Sequence, residues 1–508
     1  MGTENPSTQI SSTSSTPPDS ATSLTDEGLA QGLKKRHVRM IAVGGAIGVG
    51  LFLGAGRGIS LAGPALIGVY AVTGVIIYII MRALGELLIY RPVSGSFAEY
   101  AREFMGPVFG FITGWGYWAT WTVIGMAEIT AAGIYVHYWF PGIPQYVTAL
   151  VVLIALVLLN LLKVGAFGEV EFWFASVKVL AILGLIVGGT LVMVFNVGPA
   201  GEQGSIANIW EHGGVAPNGW LAVLLAFQIV VFSYQGVELI GMTAAETKDR
   251  DTVLPKAINS VPWRVVVFYI GSLIVLLSLF PWTEFSAGES PFVKALTQIG
   301  LPAAGTIMNF VVLTAALSSC SSGLFSNARL IKRLAGDGLA PARFNTTNSG
   351  HVPALAVLAS GAAMLVGVAA NAIVPEQAFV YISSIATLGA IWGWLVIIVC
   401  HLIYRRRLAR GEVSRSWFRL PFATPLCWLV IAFLVFLTVV LGVEAESRVA
   451  LYTIPVWAVV LIGGYLLARP DMVAREAAAA TALQQQNSEA ANDQAPTGDS
   501  SIDLALRG

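Results

Sequence analysis

The chain has 508 residues, of which 56% are hydrophobic and 11% are charged, and its mean hydropathy is +0.74. Soluble domains carry about 25% charged residues, so this composition excludes a soluble globular protein and indicates a membrane protein. Lysine plus arginine balances aspartate plus glutamate at 29 each, and this zero net charge excludes a general electrostatic attraction to nucleic acid.

The two ends of the chain differ from the rest. Residues 1–33 are rich in Ser, Thr, Pro and Asp, which predicts a disordered cytoplasmic N-terminal tail because they cannot bury enough apolar surface to fold. Residues 34–468 predict one membrane-embedded domain that starts with a basic segment. Residues 469–508 change to Ala, Gln, Asn, Asp and Ser, which predicts a largely disordered cytoplasmic C-terminal tail.

Between the tails, apolar segments recur at the length of about 20 residues that a helix needs to cross ~30 Å of hydrocarbon. We predict an all-α integral membrane protein with twelve transmembrane helices. They lie at residues 40–60, 65–89, 108–138, 145–163, 170–195, 220–243, 263–282, 302–330, 353–372, 377–402, 422–442 and 451–468.

The distribution of Lys and Arg predicts the orientation, because these residues are enriched in cytoplasmic connections. Of the 29 Lys and Arg residues, 25 fall on the side of the N-terminus, whereas Arg57, Lys294 and Arg448 fall on the opposite side. The remaining cation, Lys178, lies within a predicted span. This asymmetry predicts a multi-pass protein with both termini in the cytoplasm.

The first predicted span contains four glycines within residues 44–50. Glycine costs about 1 kcal/mol relative to alanine in a helix interior, and unwound backbone in a membrane is tolerated only where protein or a cavity surrounds it. We therefore predict a broken helix whose second half begins near Gly50 and whose N–H groups bind a substrate carboxylate. The alternative is that the glycines form a close packing seam between helices. The candidate binding residues are Ala46, Ile47, Gly48, Val49 and Gly50.

The sixth predicted span contains a matching interruption at residues 232–238, which read FSYQGVE. A half-helix that ends there would expose unpaired carbonyl groups suited to an ammonium group. Interrupted helices in two corresponding halves are typical of transporter binding sites, so the pair predicts two inverted five-span halves. The alternative is a simple kink. The candidate binding residues are Phe232, Ser233, Tyr234 and Gln235.

Three ionisable residues within predicted spans are further candidates, because such residues are costly in lipid. Lys178 is a candidate proton carrier or a fixed cation in place of a sodium ion, the alternative being that it snorkels to the interface. Glu128 is a candidate for contact with the substrate amine or a proton, or for a structural hydrogen bond. Glu238 is expected to support the unwound backbone of the second break rather than to contact substrate.

Four serines in the eighth predicted span either line a cation site or bond to the backbone of their own helix. They are Ser318, Ser319, Ser321 and Ser322. The chain shows no metal-ligand spacing, no Ser/His/Asp arrangement and no Walker motif, which argues against an enzyme, a metal site or an ATP-driven pump.

Four motifs are shared with one known family: residues 36–52, 81–87, 167–175 and 241–249, which read RHVRMIAVGGAIGVGLF, MRALGEL, FGEVEFWFA and GMTAAETKD. They resemble the bacterial amino-acid permeases of the amino acid–polyamine–organocation (APC) superfamily, over residues 34–468. The resemblance implies a LeuT-like five-plus-five inverted repeat with discontinuous helices 1 and 6, and secondary, proton-coupled uptake of amino acids. It places the substrate on the two breaks, and Lys178 matches a lysine that replaces a sodium ion in several relatives.

Within this family, Pro262 and residues 309–314 and 322–326 are similar to the branch that transports D-serine, D-alanine and glycine, whereas residues 319–321 depart from it. The predicted function is therefore a proton-coupled symporter for small neutral amino acids. The alternatives are a permease for an aromatic amino acid, proline or γ-aminobutyrate, or a transporter-like sensor. The expected partners are an amino acid, protons and the lipid of a bacterial inner membrane. We expect no cofactor, no metal and no nucleic acid, and the sequence does not predict an oligomeric state.

Overall fold

The computed structural model describes residues 47–92, 97–162, 164–239, 250–299 and 302–470. Within these ranges the chain consists of helices and connecting turns, with no β-strand. The predicted N-terminal tail, the basic segment that follows it and the C-terminal tail beyond residue 470 lie outside the described residues.

The principal helices are numbered here in chain order. They are α1 Val49–Phe52, α2 Gly54–Ala62, α3 Leu66–Tyr90, α4 Ala98–Met105, α5 Pro107–His137, α6 Gln145–Asn160, α7 Val164–Val194, α8 Gly219–Ser233, α9 Arg250–Asn259, α10 Ser272–Leu279, α11 Pro291–Gln298, α12 Pro302–Gly336, α13 Ala354–Ile373, α14 Ala378–Ala409, α15 Ala423–Val443 and α16 Val449–Pro470. A helical turn at Val261–Arg264 and a π-helix at Val265–Gly271 lead directly into α10.

Each of the twelve predicted segments overlaps one of these helices. By length and composition, nine helices in the described ranges can cross a membrane, while α6 and α8 are shorter apolar helices. One of the nine is the run Val49–Tyr90, which contains α1, α2 and α3. The chain reverses direction within this run, because Gly50 at its start and Tyr70 near its middle both contact Ser233. The all-helical membrane architecture is confirmed, and the number of twelve crossings stays a prediction.

The most buried helices lie at the centre of the bundle and the least buried ones at its edge. In the most apolar stretch of α5, 72% of residues are buried, compared with 22% in α7 and 11% in α16. A helix that is apolar all round but exposed suits contact with lipid. The exposed sides of α7 and α16 therefore face the bilayer.

The short helix α1 is surrounded by three other helices of the bundle. It packs against α5, α8 and α12, while α8 packs in turn against α2, α3 and α14. The two predicted breaks, at the start of α1 and the end of α8, are thus brought together in the interior of the bundle.

Candidate substrate site

The first break lies where α1 begins. Gly48 has an extended backbone (φ −124°, ψ −165°) and immediately precedes the helix. The bonds of the first turn start at Leu51, whose N–H donates to the Gly48 carbonyl at 3.2 Å. The N–H groups of Val49 and Gly50 therefore have no partner within the helix. Ala46 lies outside the described residues, and Gly48 is half-buried. The fully buried candidates are Ile47, Val49 and Gly50.

The second break follows α8, which ends at Ser233. Residues 234–238 form turns rather than a helix, and Gly236 has a φ of +94°, a left-handed conformation that favours glycine. Glu238 Oε1 accepts a hydrogen bond from the Gly236 N–H at 3.3 Å. Glu238 thus bonds to the backbone of the unwound turn, and the supporting role expected from the sequence stays a prediction.

The two breaks are in direct contact. A Cβ atom at Gly50 would lie 2.5 Å from the Cα of Ser233, so only glycine allows this approach of the two backbones. Tyr70 of α3 also contacts the second break, because its hydroxyl lies 2.9 Å from Ser233 Oγ. The close packing offered as the alternative role of the glycines is therefore present at Gly50, and it joins the two halves of the predicted site.

The carbonyl groups at the second break are not unpaired, which corrects the expectation from the sequence. The Phe232 carbonyl accepts the N–H of Gln235 at 3.2 Å, and the Ser233 carbonyl accepts the hydroxyl of Tyr269 at 3.1 Å. A carbonyl oxygen has two lone pairs, so each of these groups can still accept one bond from an ammonium group. The hydroxyl of Tyr234, in contrast, is used within the fold, because it donates to the Tyr70 carbonyl at 2.9 Å.

Gln235 differs from its neighbours because its amide is not used within the fold. The side chain is 8% exposed, and neither amide atom has a hydrogen-bonding partner in the described part of the chain. A buried amide without partners is costly. Among the predicted binding residues, Gln235 is therefore the one whose side-chain amide remains available to a further polar group.

A small open cavity lies between α2, α8 and α14. It extends from Arg57 to Phe232, and Phe232 packs edge-on against Phe379 with the ring centroids 5.9 Å apart. Gln228, which is 4% exposed, also lines the cavity, and its amide has no partner among the described residues. The cavity therefore reaches the second break at Phe232.

Glu128 of α5 lies beside the first break. Its carboxylate interacts with the hydroxyl of Ser319 and with the N–H of Val49. A Cβ atom at Gly48 would lie 3.0 Å from Glu128 Oε1. The other oxygen, Oε2, has no hydrogen-bonding partner within the described ranges. The Glu128 carboxylate thus lies beside the N–H of Val49, so the first break is lined by an acidic side chain as well as by backbone donors.

Lys178 of α7 is fully buried and does not snorkel to the interface. Its Nζ donates to Ser318 Oγ at 3.1 Å, and Ser318 Oγ donates to Glu171 Oε1 at 2.6 Å. Sequence reasoning gave no role to Glu171. The signal that could have found it is its spacing, since positions 171 and 178 share one face of a helix two turns apart.

The serines of α12 contact side chains of other helices. Ser318 bridges Lys178 and Glu171, Ser319 lies at Glu128, and Ser321 Oγ accepts the amide of Asn160 at 3.1 Å. Within the described residues, no group of three or more His, Cys, Asp or Glu could hold a metal ion. The arrangement therefore supplies polar and ionisable groups at two facing helix breaks.

A family comparison identifies the kind of protein to which this arrangement belongs. The amino acid permease family matches residues 37–476. The chain belongs to this family. Its members and the relatives below are transporters rather than enzymes, so the chain is a multi-pass membrane transporter of amino acids.

Three similar proteins match this chain over most of its length. An amino acid permease of Bacillus subtilis named YtnA, described as uncharacterized, is 45% identical, and the match covers 86% of this chain and 94% of that protein. The L-asparagine permease of Streptomyces coelicolor is 44% identical, with coverage of 87% and 91%. The D-serine/D-alanine/glycine transporter of an Escherichia coli O6:H1 strain is 42% identical, with coverage of 87% and 94%.

The fold of the permease is also found in a solved structure. The crystal structure of MhsT in complex with L-phenylalanine superposes with a TM-score of 0.57 at 16% identity, and covers 80% of this chain and 98% of MhsT. This likeness confirms the LeuT-like fold that the sequence predicts, with its discontinuous helices 1 and 6.

Proposed function

We propose that this permease is a proton-coupled importer of small neutral amino acids, with D-serine, D-alanine and glycine as the first candidates. The 42% identical relative that carries these three substrates supports this choice. The motifs shared with that branch, at residues 309–314 and 322–326, support it as well. A relative named for L-asparagine is similarly close, so L-asparagine belongs in the same test.

The observation that carries the proposal is the position of Glu128 beside the N–H of Val49. A substrate carboxylate that binds to the first break arrives next to this buried side chain. Two carboxylates side by side repel each other unless one of them carries a proton. Binding of an amino acid thus favours the protonated form of Glu128, which couples substrate binding to a proton.

In the proposed binding mode, the substrate carboxylate takes the N–H groups of residues 47–50, with Ala46 as a further contact. The ammonium group takes the second lone pairs of the Phe232 and Ser233 carbonyls. The side chain of Gln235 then faces the rest of the substrate. Lys178 links the protonation state of Glu128 to the geometry of the first break, since the charges of Lys178 and Glu128 act on each other.

We also propose that both termini lie in the cytoplasm of a bacterial inner membrane. The asymmetry of Lys and Arg supports this orientation. Arg57 and the connection after α15 lie at the same end of the bundle, because Arg57 Nη2 lies 2.7 Å from Glu444 Oε1. In this orientation the cavity between α2, α8 and α14 opens to the outside.

Uptake into proteoliposomes tests the proposal. Labelled glycine, D-alanine, D-serine, L-asparagine, L-proline, γ-aminobutyrate and an aromatic amino acid are offered with and without an inward proton gradient. Gradient-dependent accumulation of the first three supports both mechanism and substrate. Accumulation of another compound keeps the mechanism and overturns the substrate. The absence of transport for every compound favours a sensor.

The role of Lys178 is tested by the Lys178→Gln variant, which keeps a polar side chain but removes the charge. We expect gradient-driven accumulation to be lost. The control is Lys256→Gln on α9, where the lysine is exposed and its loss leaves uptake unchanged. Full gradient-driven accumulation by Lys178→Gln would exclude Lys178 from coupling.

A further inference from the structure

A continuous chain of buried polar groups runs between α7 and α12. It consists of the Lys178 ammonium group, the Ser318 hydroxyl and the Glu171 carboxylate, joined by bonds of 3.1 Å and 2.6 Å. Lys178 and Ser318 are 0% exposed and Glu171 is 1% exposed. Groups this deeply buried exchange protons with each other more readily than with water.

Ser318 is the link in this chain. Glu171 and Lys178 lie seven residues apart on α7, which is about 10 Å along the helix axis. Within the described residues they form no direct ion pair, so the hydroxyl of α12 provides the bonded connection between them. A serine hydroxyl suits this place because it accepts one hydrogen bond and donates another at the same time.

The charges around this chain are few. The charged groups that act on Lys178 are Glu171 on its own helix and Glu128 on α5. The α12 side contributes serine hydroxyls, and Cys320 of α12 and Tyr135 of α5 face Glu128. Two carboxylates and one ammonium group carry a net charge of −1 when all are ionised. Since an uncompensated buried charge is costly, the set favours holding one additional proton.

We propose that Lys178, Ser318 and Glu171 form the relay by which the transported proton leaves the substrate site. This inference rests on the proposed function and adds the exit route of the proton. Glu171 lies two turns closer than Lys178 to the start of α7, whose preceding connection is predicted to be cytoplasmic. The relay thus leads from the first break, through Glu128 and Lys178, toward the inner side.

The transfer is a proton exchange without redox chemistry. The Nζ–H bond of the Lys178 ammonium group breaks and a new bond forms between this proton and Ser318 Oγ. The original Oγ–H bond of Ser318 breaks as its proton binds to Glu171 Oε1. Lys178 is left neutral and Glu171 protonated, after which Lys178 takes the next proton from the side of Glu128 and Glu171 releases its proton inward.

Three variants test the relay in the full-length protein in proteoliposomes. Ser318→Ala removes the link, and Glu171→Gln removes the final acceptor at nearly constant volume. The matched control is Ser321→Ala on the same helix, because Ser321 contacts Asn160 and not Lys178. Each variant is measured for exchange of labelled against unlabelled amino acid, for gradient-driven uptake, and for acidification of the lumen per amino acid with entrapped pyranine.

We expect Ser318→Ala and Glu171→Gln to retain exchange, because substrate can enter and leave without net proton release. Gradient-driven uptake should fall by about 10²-fold, the lower end of what a positioned proton-transfer group contributes. Lumenal acidification per amino acid should fall in parallel. Ser321→Ala should match the unchanged protein in all three measurements. If Ser318→Ala fails to fold, Glu171→Gln carries the test.

Three results overturn the relay. Unchanged gradient-driven uptake in both relay variants would show that the proton takes another route. Equal loss of exchange and of uptake would show a structural role. If the unchanged protein transports amino acids without responding to the gradient, the proposed coupling fails and the relay fails with it. A gradient response in the unchanged protein that persists in both variants overturns the relay alone.

Discussion

Replacing Gly50 with alanine would place a methyl group 2.5 Å from the Cα and 2.9 Å from the N of Ser233. Both contacts are with backbone, so no flexible side chain can move away, and the two breaks must separate by nearly 1 Å to reach the 3.4 Å of ordinary contact. Overpacking costs about 1–3 kcal/mol, and alanine gains about 1 kcal/mol over glycine in a helix. Because the contacts are rigid, the overpacking cost lies in the upper half of its range, about 2–3 kcal/mol, and the net cost of keeping the two breaks in contact is about 1–2 kcal/mol.

A cost of this size changes an equilibrium by a factor of about 5–30. We expect uptake by Gly50→Ala at low substrate concentration to fall by this factor, and the unfolding temperature in detergent to fall as well. The matched control is Gly54→Ala, one turn further along. A Cβ at Gly54 would lie 3.5 Å from Ile229 Cγ2, which is ordinary contact, so this variant should transport normally. Equal uptake by the two variants would refute the close contact between the breaks.

Two further predictions concern buried polar groups. Glu86 is fully buried and its Oε2 lies 2.9 Å from Nε2 of His401, so Glu86→Gln should cost about 3 kcal/mol of unfolding free energy in a denaturant titration. The control Glu103→Gln breaks a pair with the 49% exposed Arg91 and should cost at most about 1 kcal/mol; similar losses in both would contradict the difference in burial. In uptake assays with a labelled amino acid, Gln235→Leu should weaken inhibition by unlabelled serine more than inhibition by unlabelled glycine. An equal effect on both would show that Gln235 does not recognise the substrate side chain.

The positions of both breaks could be predicted from the sequence, because a break leaves a local signature. Gly48 precedes α1 in an extended conformation, and Gly236 has a positive φ just after α8, as glycine in a membrane helix predicts. What the breaks contact could not be predicted locally. The Ser233 carbonyl accepts a hydrogen bond from Tyr269, 36 residues further along, and the carboxylate beside Val49 belongs to Glu128 of another helix.

The same reasoning explains why the sequence indicates Lys178 but not its relay. A lysine in an apolar span can be identified from the sequence without knowing its neighbours, because a charged residue in a membrane is costly and needs partners. Its partner Ser318 is one of five serines in α12, and the local pattern predicts that such serines bond to their own backbone. Only the packing of α7 against α12 selects Ser318 for Lys178 and leaves Ser321 to Asn160. The difference between two serines three positions apart on one helix therefore makes Ser318→Ala and Ser321→Ala the sharpest comparison for the mechanism.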